Sequence, residues 1–171
     1  MRVIVNDASV LIDIHKAGIL QVYSRAEFTL VLPDVVQKEL RDMSDVNFEK
    51  LGFEIASLEG PDVLKVKSIL DKHSGISIPD TFALIVAEKL TDSILLTGDR
   101  RLRNIAVTRN VEVHGVLWIL DQLFEQGLLT ARVVLDVVRL FSEDPAVRLP
   151  AKLLSAYREK YESPDQSSPR D

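Results

Sequence analysis

The sequence contains no cysteine among its 171 residues, and this absence excludes three kinds of chemistry. A chain without thiols forms no disulfide, offers no thiolate to a metal ion and has no cysteine nucleophile. Histidine is scarce as well, because His15, His73 and His114 are the only three, and their spacing is not typical of a metal site. The 26 Asp and Glu residues are therefore the main candidate ligands and catalysts.

Two further absences limit the location and the partners of the protein. No apolar run approaches the roughly 20 residues of a membrane-spanning helix, and the N-terminus lacks the basic segment and apolar core of a signal peptide. We therefore expect a cytoplasmic protein with no membrane partner. Positive charge is not in excess, and the net charge of -5 argues against a general polyanion binder. An enzyme acting on nucleic acid stays possible, because a bound metal ion can neutralise acids gathered in one pocket.

Segments of strand and helix type alternate along the chain. Short runs rich in Val, Ile and Leu predict strands at 3–5, 28–31, 53–58, 93–96 and 111–113. The segments between them have apolar residues at helical spacing. Alternating strands and helices form right-handed crossovers, which favours an α/β fold with a mostly parallel sheet and helices on both faces.

The sequence predicts one domain whose C-terminal part is helical. The whole chain of 171 residues is long enough for one domain with a sizeable core. We expect this domain over 1–127, a C-terminal helical extension over 128–162 packed on the same domain, and a disordered polar tail over 163–171. The apolar C-terminal helices exceed what covering one small sheet requires, so we expect part of their surface to form a homodimer interface.

Three acidic residues stand at the ends of predicted core elements. Asp7 follows the first strand, Asp99 lies in the Gly turn after the fourth, and Asp80 lies behind Pro79 in the first turn of an apolar helix. In open α/β sheets, ligands bind outside the carboxyl ends of the strands. Each acid alone also has a structural explanation, because Asp is common as a helix cap, in a first turn and in tight turns.

Glu39 is the fourth acid of interest. The helical spacing of Val35, Val36, Leu40 and Met43 predicts that Glu39 lies on the inward face of a helix. An ionised carboxylate there is costly unless it has a cation partner, which could be an Arg or a metal ion. Four acids in one pocket repel one another unless a divalent cation is bound. Oxygen-only ligands favour Mg²⁺ (or Mn²⁺) over Zn²⁺.

The segments that carry these acids resemble, in order, the four acidic motifs of PIN domains. They are Asp7–Ile12, Val35–Leu40 with Glu39, Pro79–Ile85 and Leu95–Asp99. PIN domains are small metal-dependent ribonucleases that include the VapC-type toxins of toxin–antitoxin pairs. The resemblance covers 1 to about 120, and it implies a five-stranded parallel sheet in the order 3-2-1-4-5. Asp7 and Asp99 would then follow adjacent central strands.

The resemblance also implies a site and an activity. Asp7, Glu39, Asp80 and Asp99 would be the catalytic, metal-binding acids, with Ser9 and Thr97 as hydroxyl supports on the substrate-binding side. The products would be a 5′-phosphate and a 3′-hydroxyl, and an antitoxin-like protein would be a partner.

This chain departs from the family after Asp99. Many family members have a further acid or Asn there, whereas this chain has Arg100, Arg101 and Arg103, with Asn104 the remaining candidate. We expect the three arginines to contact the phosphates of RNA.

Other classes fit the sequence less well. A phosphoacceptor receiver domain needs an acceptor Asp on a central strand and a Lys on a later one, and 55–57 and 111–113 do not supply them. A phosphatase of the haloacid-dehalogenase type needs a second Asp two positions after the first, where this chain has Ser9. The alternative that stays open is a PIN-like scaffold that binds RNA or a protein partner without cleaving it.

Overall fold

The computed structural model describes residues 1–163. The predicted disordered tail therefore lies, apart from its first residue, outside the described residues. No helix in the described range is long and apolar enough to cross a bilayer.

A five-stranded parallel sheet forms the centre of the molecule, in the order β3-β2-β1-β4-β5. The strands are β1 (Val3–Asn6), β2 (Thr29–Pro33), β3 (Glu54–Ala56), β4 (Ser93–Leu96) and β5 (Glu112–His114). The α/β class, the five strands and their order are thus confirmed. Strands β1 and β4 are neighbours, with Asn6 opposite Leu96. The residues that follow these two strands therefore meet at one edge of the sheet.

The central strands are apolar because both of their faces are covered. Ile4, Val5, Ile94, Leu95 and Leu96 are completely buried. Continuous apolar runs of this kind are typical of parallel strands that lie between helices. Burial on both faces fixes the strands rigidly and gives the residues at their carboxyl ends a defined position.

Nine helices surround the sheet within residues 1–163. In chain order they are α1 (Ala8–Lys16), α2 (Leu20–Tyr23), α3 (Asp34–Gln37), α4 (Gly60–Lys72), α5 (Ile78–Lys89), α6 (Arg100–Thr108), α7 (Val116–Glu125), α8 (Ala131–Glu143) and α9 (Ala151–Glu162). Helix α5 contacts β1, β2 and β4. Its residues Ala83 to Ala87 are buried without interruption, as expected for a helix covered on most sides.

The predicted helix around Glu39 is shorter than its pattern suggests. Helix α3 has only four residues, and a 3-10 turn follows at Arg41–Met43. The prediction that Glu39 lies on an inward helical face is therefore wrong, since Glu39 lies in the turn after α3 and is exposed. This turn buries Leu40 and Met43 while the Glu39 carboxyl keeps contact with water, which limits the cost of desolvation.

One carboxylate joins the last helix to α7. Asp121 of α7 accepts hydrogen bonds from the Tyr157 hydroxyl (2.7 Å), the Lys160 ammonium (2.7 Å) and the Tyr161 hydroxyl, all on α9. Burial and the charge of Asp121 raise the pKa of both tyrosines. Helix α9 is thus fixed to α7 by polar contacts, and it also packs along α8.

Candidate active site

Asp7 is the buried acid at the end of β1. It is the N-cap residue of α1, and its Oδ1 accepts a hydrogen bond from the Ala8 N–H at 2.8 Å. Its Oδ2 accepts hydrogen bonds from the hydroxyls of Ser9 and Thr97, each at 2.8 Å. The side chain is only 2% exposed. The expected helix cap is therefore present, and the same carboxylate faces the carboxyl edge of the sheet.

The surroundings of Asp7 disfavour its negative charge. Burial, and then the charge of Asp80, raise the pKa of Asp7 to about 6. Hydrogen bonds from Ser9, Thr97 and Ala8 lower the pKa but do not offset the increase. A cation bound beside Asp7 would stabilise its ionised form, because a nearby positive charge favours the negative carboxylate.

Asp99 lies beside Asp7 and is joined to it through hydroxyl groups. It is the N-cap residue of α6, and its Oδ1 accepts a hydrogen bond from the Leu102 N–H at 2.8 Å. Its own N–H donates to Thr97 Oγ1 at 3.0 Å, and the preceding Gly98 N–H donates to Ser9 Oγ at 3.1 Å. The segments that follow β1 and β4 are therefore hydrogen-bonded to each other.

Asp80 belongs to a capping box at the start of α5. The Asp80 N–H donates to Ser77 Oγ at 3.1 Å, and the Ser77 N–H donates to Asp80 Oδ2 at 3.0 Å. The helix begins at Ile78, so that Asp80 lies in its first turn, as the sequence predicts. The missed signal was that of the cap, a Ser three residues before an acid, a pattern typical of a helix N-terminus.

The charge of Asp80 also acts on the carboxyl of Glu39. Partial burial, and then the charge of Asp80, raise the pKa of its carboxyl. Asp80 also raises the pKa of Asp7, so that Asp80 lies within electrostatic range of both acids. The structure therefore brings Asp7, Asp80 and Glu39 into one field of negative charge, and Asp99 is held next to Asp7 by hydrogen bonds.

The four acids have no cationic partner among residues 1–163. The ion pairs in this range join other acids to Lys, Arg or His. The Arg partner considered for Glu39 is therefore not found in the described part of the chain.

The donor set suits a hard divalent ion in its chemistry, although the arrangement is open. Asp80 and Asp99 each use one carboxyl oxygen in a helix cap, which leaves the other for a ligand. All of the donors are oxygens, as Mg²⁺ and Mn²⁺ prefer. Within the described range, however, no three acidic or histidine side chains are arranged as a metal-binding cluster.

The three arginines after Asp99 differ in their surroundings. Arg100 and Arg101 are exposed. Arg101 Nη1 donates to the Gly75 carbonyl at 3.3 Å, in the loop before α5. Arg103 is half-buried and donates to the carbonyls of Val113 (3.3 Å) and Thr97 (3.2 Å). Within residues 1–163, Arg100 thus differs from the other two in having no side-chain hydrogen bond, while Arg103 donates to two main-chain oxygens.

One buried polar pair near the site has no signal in the local sequence. The Tyr23 hydroxyl donates to Asn6 Oδ1 at 2.7 Å, and Asn6 Nδ2 donates to the carbonyls of Ile4 and Val31. Asn6 precedes Asp7 and is completely buried. This contact joins α2 to the end of β1, and only the folded chain brings the two residues together.

A parallel sheet with acids after its two central strands defines an α/β protein with an acidic site at the sheet edge. The matching family is DUF3368, a PIN domain, and the match extends over residues 3–163. The chain therefore belongs to the PIN-domain family. This family is generally nuclease-like, and its members generally bind divalent metals.

A solved structure supports the fold. The chain is similar to a PilT N-terminus domain protein of the archaeon Sulfolobus solfataricus P2, with a TM-score of 0.51 and 15% identity. The similarity covers 72% of this chain and 93% of the archaeal one. No curated protein matches the chain.

Proposed function

We propose that this protein is a divalent-metal-dependent endoribonuclease that hydrolyses RNA phosphodiester bonds at Asp7, Glu39, Asp80 and Asp99. The observation that carries the proposal is the state of Asp7, which is buried, has a pKa raised to about 6 and lies in the field of Asp80. No cation of the described residues neutralises this group. A site that is unfavourable without a cation is what a metal-dependent enzyme requires.

The four acids are the residues that would hold Mg²⁺ (or Mn²⁺). A bound divalent ion supplies charge stabilisation to the phosphate and increases the acidity of water at the site. Ser9 and Thr97 orient the Asp7 carboxylate by donating to Oδ2. Asp80 and Asp99 are held by the first turns of α5 and α6, which gives their carboxylates fixed positions. Hydrolysis would yield a 5′-phosphate and a 3′-hydroxyl.

Substrate contact is assigned first to the N-terminal end of α6. Arg100 is exposed directly after Asp99, and the helix N-terminus adds positive potential at the same place. Arg101 lies beside it and is also exposed, with Nη1 donating to the Gly75 carbonyl. These groups would offset the negative net charge of the chain locally. Phosphate contact by Arg103, expected from the sequence, is not included in this assignment, because its guanidinium donates to two main-chain carbonyls.

Finer aspects of the proposal rest on the sequence pattern and, for the toxin role, on the family. We propose a cytoplasmic homodimer with an antitoxin-like protein partner, in which this chain acts as the toxin. We also propose the division into a nuclease domain over 1–127 and a helical extension over 128–162.

The second candidate function is a PIN-domain scaffold that binds RNA or a protein without cleavage. It is favoured by the open arrangement of the acids in the described range, where no three of them form a metal-binding cluster. The two functions differ in their response to metal, because only a nuclease links cleavage to the cation.

A cleavage assay separates the two functions. Purified protein is incubated with 5′-labelled single-stranded RNA in Mg²⁺, in Mn²⁺ and in EDTA. We expect cleavage with either ion and none in EDTA, and no cleavage by Asp7→Asn. The matched control is Asp13→Asn, since burial also raises the pKa of Asp13 to about 6 but its charged neighbours are Lys16 and Asp144. Cleavage that persists in EDTA, or in Asp7→Asn, would contradict the proposal.

A further inference from the structure

Arg103 has an unusual environment for an arginine that follows an acidic site. Its guanidinium is half-buried, and Nη2 and Nη1 donate to the main-chain carbonyls of Thr97 and Val113. Among residues 1–163 it forms no ion pair with an acid. An arginine that binds a phosphate at the surface would be expected to expose its guanidinium N–H groups to water when no ligand is bound. This one uses two of them to join the end of β4 to β5.

The contact with Thr97 explains why this position matters. Thr97 is completely buried and all of its polar groups are paired. Its N–H donates to the His114 carbonyl at 3.0 Å, and its hydroxyl donates to Asp7 and accepts from the Asp99 N–H. The carbonyl of Thr97 is the remaining group, and Arg103 supplies its donor. The residue that links the two central acids is therefore anchored by Arg103.

Gly115 provides the space that this contact needs. A Cβ at Gly115 would lie 3.3 Å from Arg103 Nη2 and 3.7 Å from the Thr97 carbonyl oxygen. The first of these distances is tighter than most contacts of a real Cβ, so the guanidinium would have to move. The backbone of Gly115 is extended, with φ of -119°, so alanine is compatible with it. The absence of a side chain here leaves room for the guanidinium beside the Thr97 carbonyl.

We propose that Arg103 is a positioning residue of the site, which fixes Thr97 and through Thr97 the relative placement of Asp7 and Asp99. This inference rests on the proposed function. It predicts that loss of Arg103 lowers the rate of the chemical step and the affinity for metal, because both depend on how the acids are placed. An arginine that held RNA phosphate would instead raise KM and weaken RNA binding.

The experiment compares Arg103→Gln, Arg103→Lys and Gly115→Ala with the wild type. Arg109→Gln is the matched control, because Arg109 ends the same helix in an exposed pair with Glu88. Steady-state cleavage of single-stranded RNA gives kcat and KM, calorimetry gives the affinity for Mn²⁺, and thermal melting shows that each variant is folded. We expect Arg103→Gln to lower kcat about tenfold or more with KM changed less than about twofold. Mn²⁺ binding should weaken in parallel, Arg103→Lys should recover part of both losses, and Arg109→Gln should resemble the wild type.

Each contrary result is informative. A raised KM with unchanged kcat would assign Arg103 to phosphate contact, and unchanged kcat, KM and Mn²⁺ affinity would remove it from the site. If Arg103→Gln does not fold, Arg103→Lys and Gly115→Ala decide, because both keep the positive charge and Gly115→Ala requires the guanidinium to shift by a few tenths of an ångström. In both variants kcat and Mn²⁺ affinity should fall together, and unchanged values would overturn the proposal. If the wild type binds Mn²⁺ but cleaves no RNA, the proposed function fails, and the calorimetric comparison still tests Arg103. A wild type that does neither overturns both proposals.

Discussion

The Thr97 hydroxyl donates a hydrogen bond to Asp7 Oδ2 across 2.8 Å and joins two residues that lie 90 positions apart in the sequence. The contact exists because β1 and β4 are parallel neighbours, so that the residues following them meet at one edge of the sheet. It connects the most perturbed carboxylate of the site to the turn that carries Asp99. The properties of Asp7 should therefore respond to changes in Thr97.

Thr97→Val should raise the pKa of Asp7 above its value of about 6. The valine side chain has nearly the same shape but no hydroxyl, so the ionised carboxylate loses one of the hydrogen bonds that favour it. The titration of Asp7 can be followed by carboxyl ¹³C NMR without metal. Thr97→Ser keeps the hydroxyl and is the control. An Asp7 pKa that does not change in Thr97→Val would show that this hydrogen bond has little effect on its charge.

Asp7→Asn should stabilise the metal-free protein at pH 7.5. Because the pKa of Asp7 is raised from 3.8 to about 6 in the folded state, the folded protein holds this proton more tightly than the unfolded chain does. Stability of the wild type therefore falls as the pH rises from about 4 to about 6, by up to about 3 kcal/mol. The variant lacks this penalty. Urea unfolding of both proteins at pH 4 and pH 7.5 checks this. A stability difference that does not grow with pH would contradict the prediction.

Addition of Mn²⁺ should reduce this difference. A ligand that binds the folded state at a hundredfold excess over its Kd stabilises it by about 2.7 kcal/mol. The wild type should gain this stability, and Asp7→Asn should gain less because it lacks one of the proposed ligands. Thermal melting with and without Mn²⁺ measures both. Equal stabilisation of the two proteins would place the ion elsewhere.

Ser77→Ala should lower the free energy of unfolding by about 1 kcal/mol. The substitution removes the acceptor of the Asp80 N–H and one half of the capping box at the start of α5. Ser77→Asn preserves a capping side chain and should lose less. Ser68→Ala, at an exposed position inside α4, should change stability by less than about 0.5 kcal/mol. Equal effects at Ser77 and Ser68 in chemical denaturation would exclude the cap as the cause.

Asp121→Ala should loosen α9. Two tyrosine hydroxyls and the Lys160 ammonium lose their common acceptor, and a hydrogen bond to a charged group contributes about 1.5–3 kcal/mol. Amide hydrogen exchange over 151–162 should therefore speed up about ten- to a hundredfold. Glu125→Gln, which alters a carboxylate on the same helix that contacts Gln122, is the control. Unchanged exchange in α9 would show that apolar packing alone holds it.

The strands and their order could be predicted because the relevant signal is local. The run Ser93–Leu96 is a strand with the predicted bounds, and Asp99 follows it as the N-cap of α6. The position of Glu39 could not be predicted from helical spacing. The pattern at 35–43 has apolar residues at helical intervals, but the chain leaves the helix after Gln37 and still buries Leu40 and Met43.

The contacts of the arginines could not be predicted from the sequence, for a different reason. Arg103 is chemically able to bind a phosphate or a carbonyl, and nothing in its neighbours distinguishes the two. The choice depends on the carbonyls of Thr97 and Val113, which the fold places beside it. The hydrogen-bond partners of long side chains such as Arg103 depend on tertiary structure. Those of the N-cap residues Asp7 and Asp99 include main-chain N–H groups one to three residues further along the chain.

Three of the four acids accept a main-chain hydrogen bond at the start of a helix: Asp7 and Asp99 are the N-caps of α1 and α6, and Asp80 accepts from the Ser77 N–H in the capping box of α5. The proposed chemistry and the architecture thus depend on the same atoms. If the proposed activity were lost in a descendant of this chain, the positions of Asp7 and Asp99 would still favour Asn, Ser or Thr, because alanine would remove the caps of α1 and α6. At these two positions the loss would then appear as amides and hydroxyls in place of carboxylates, with the fold retained.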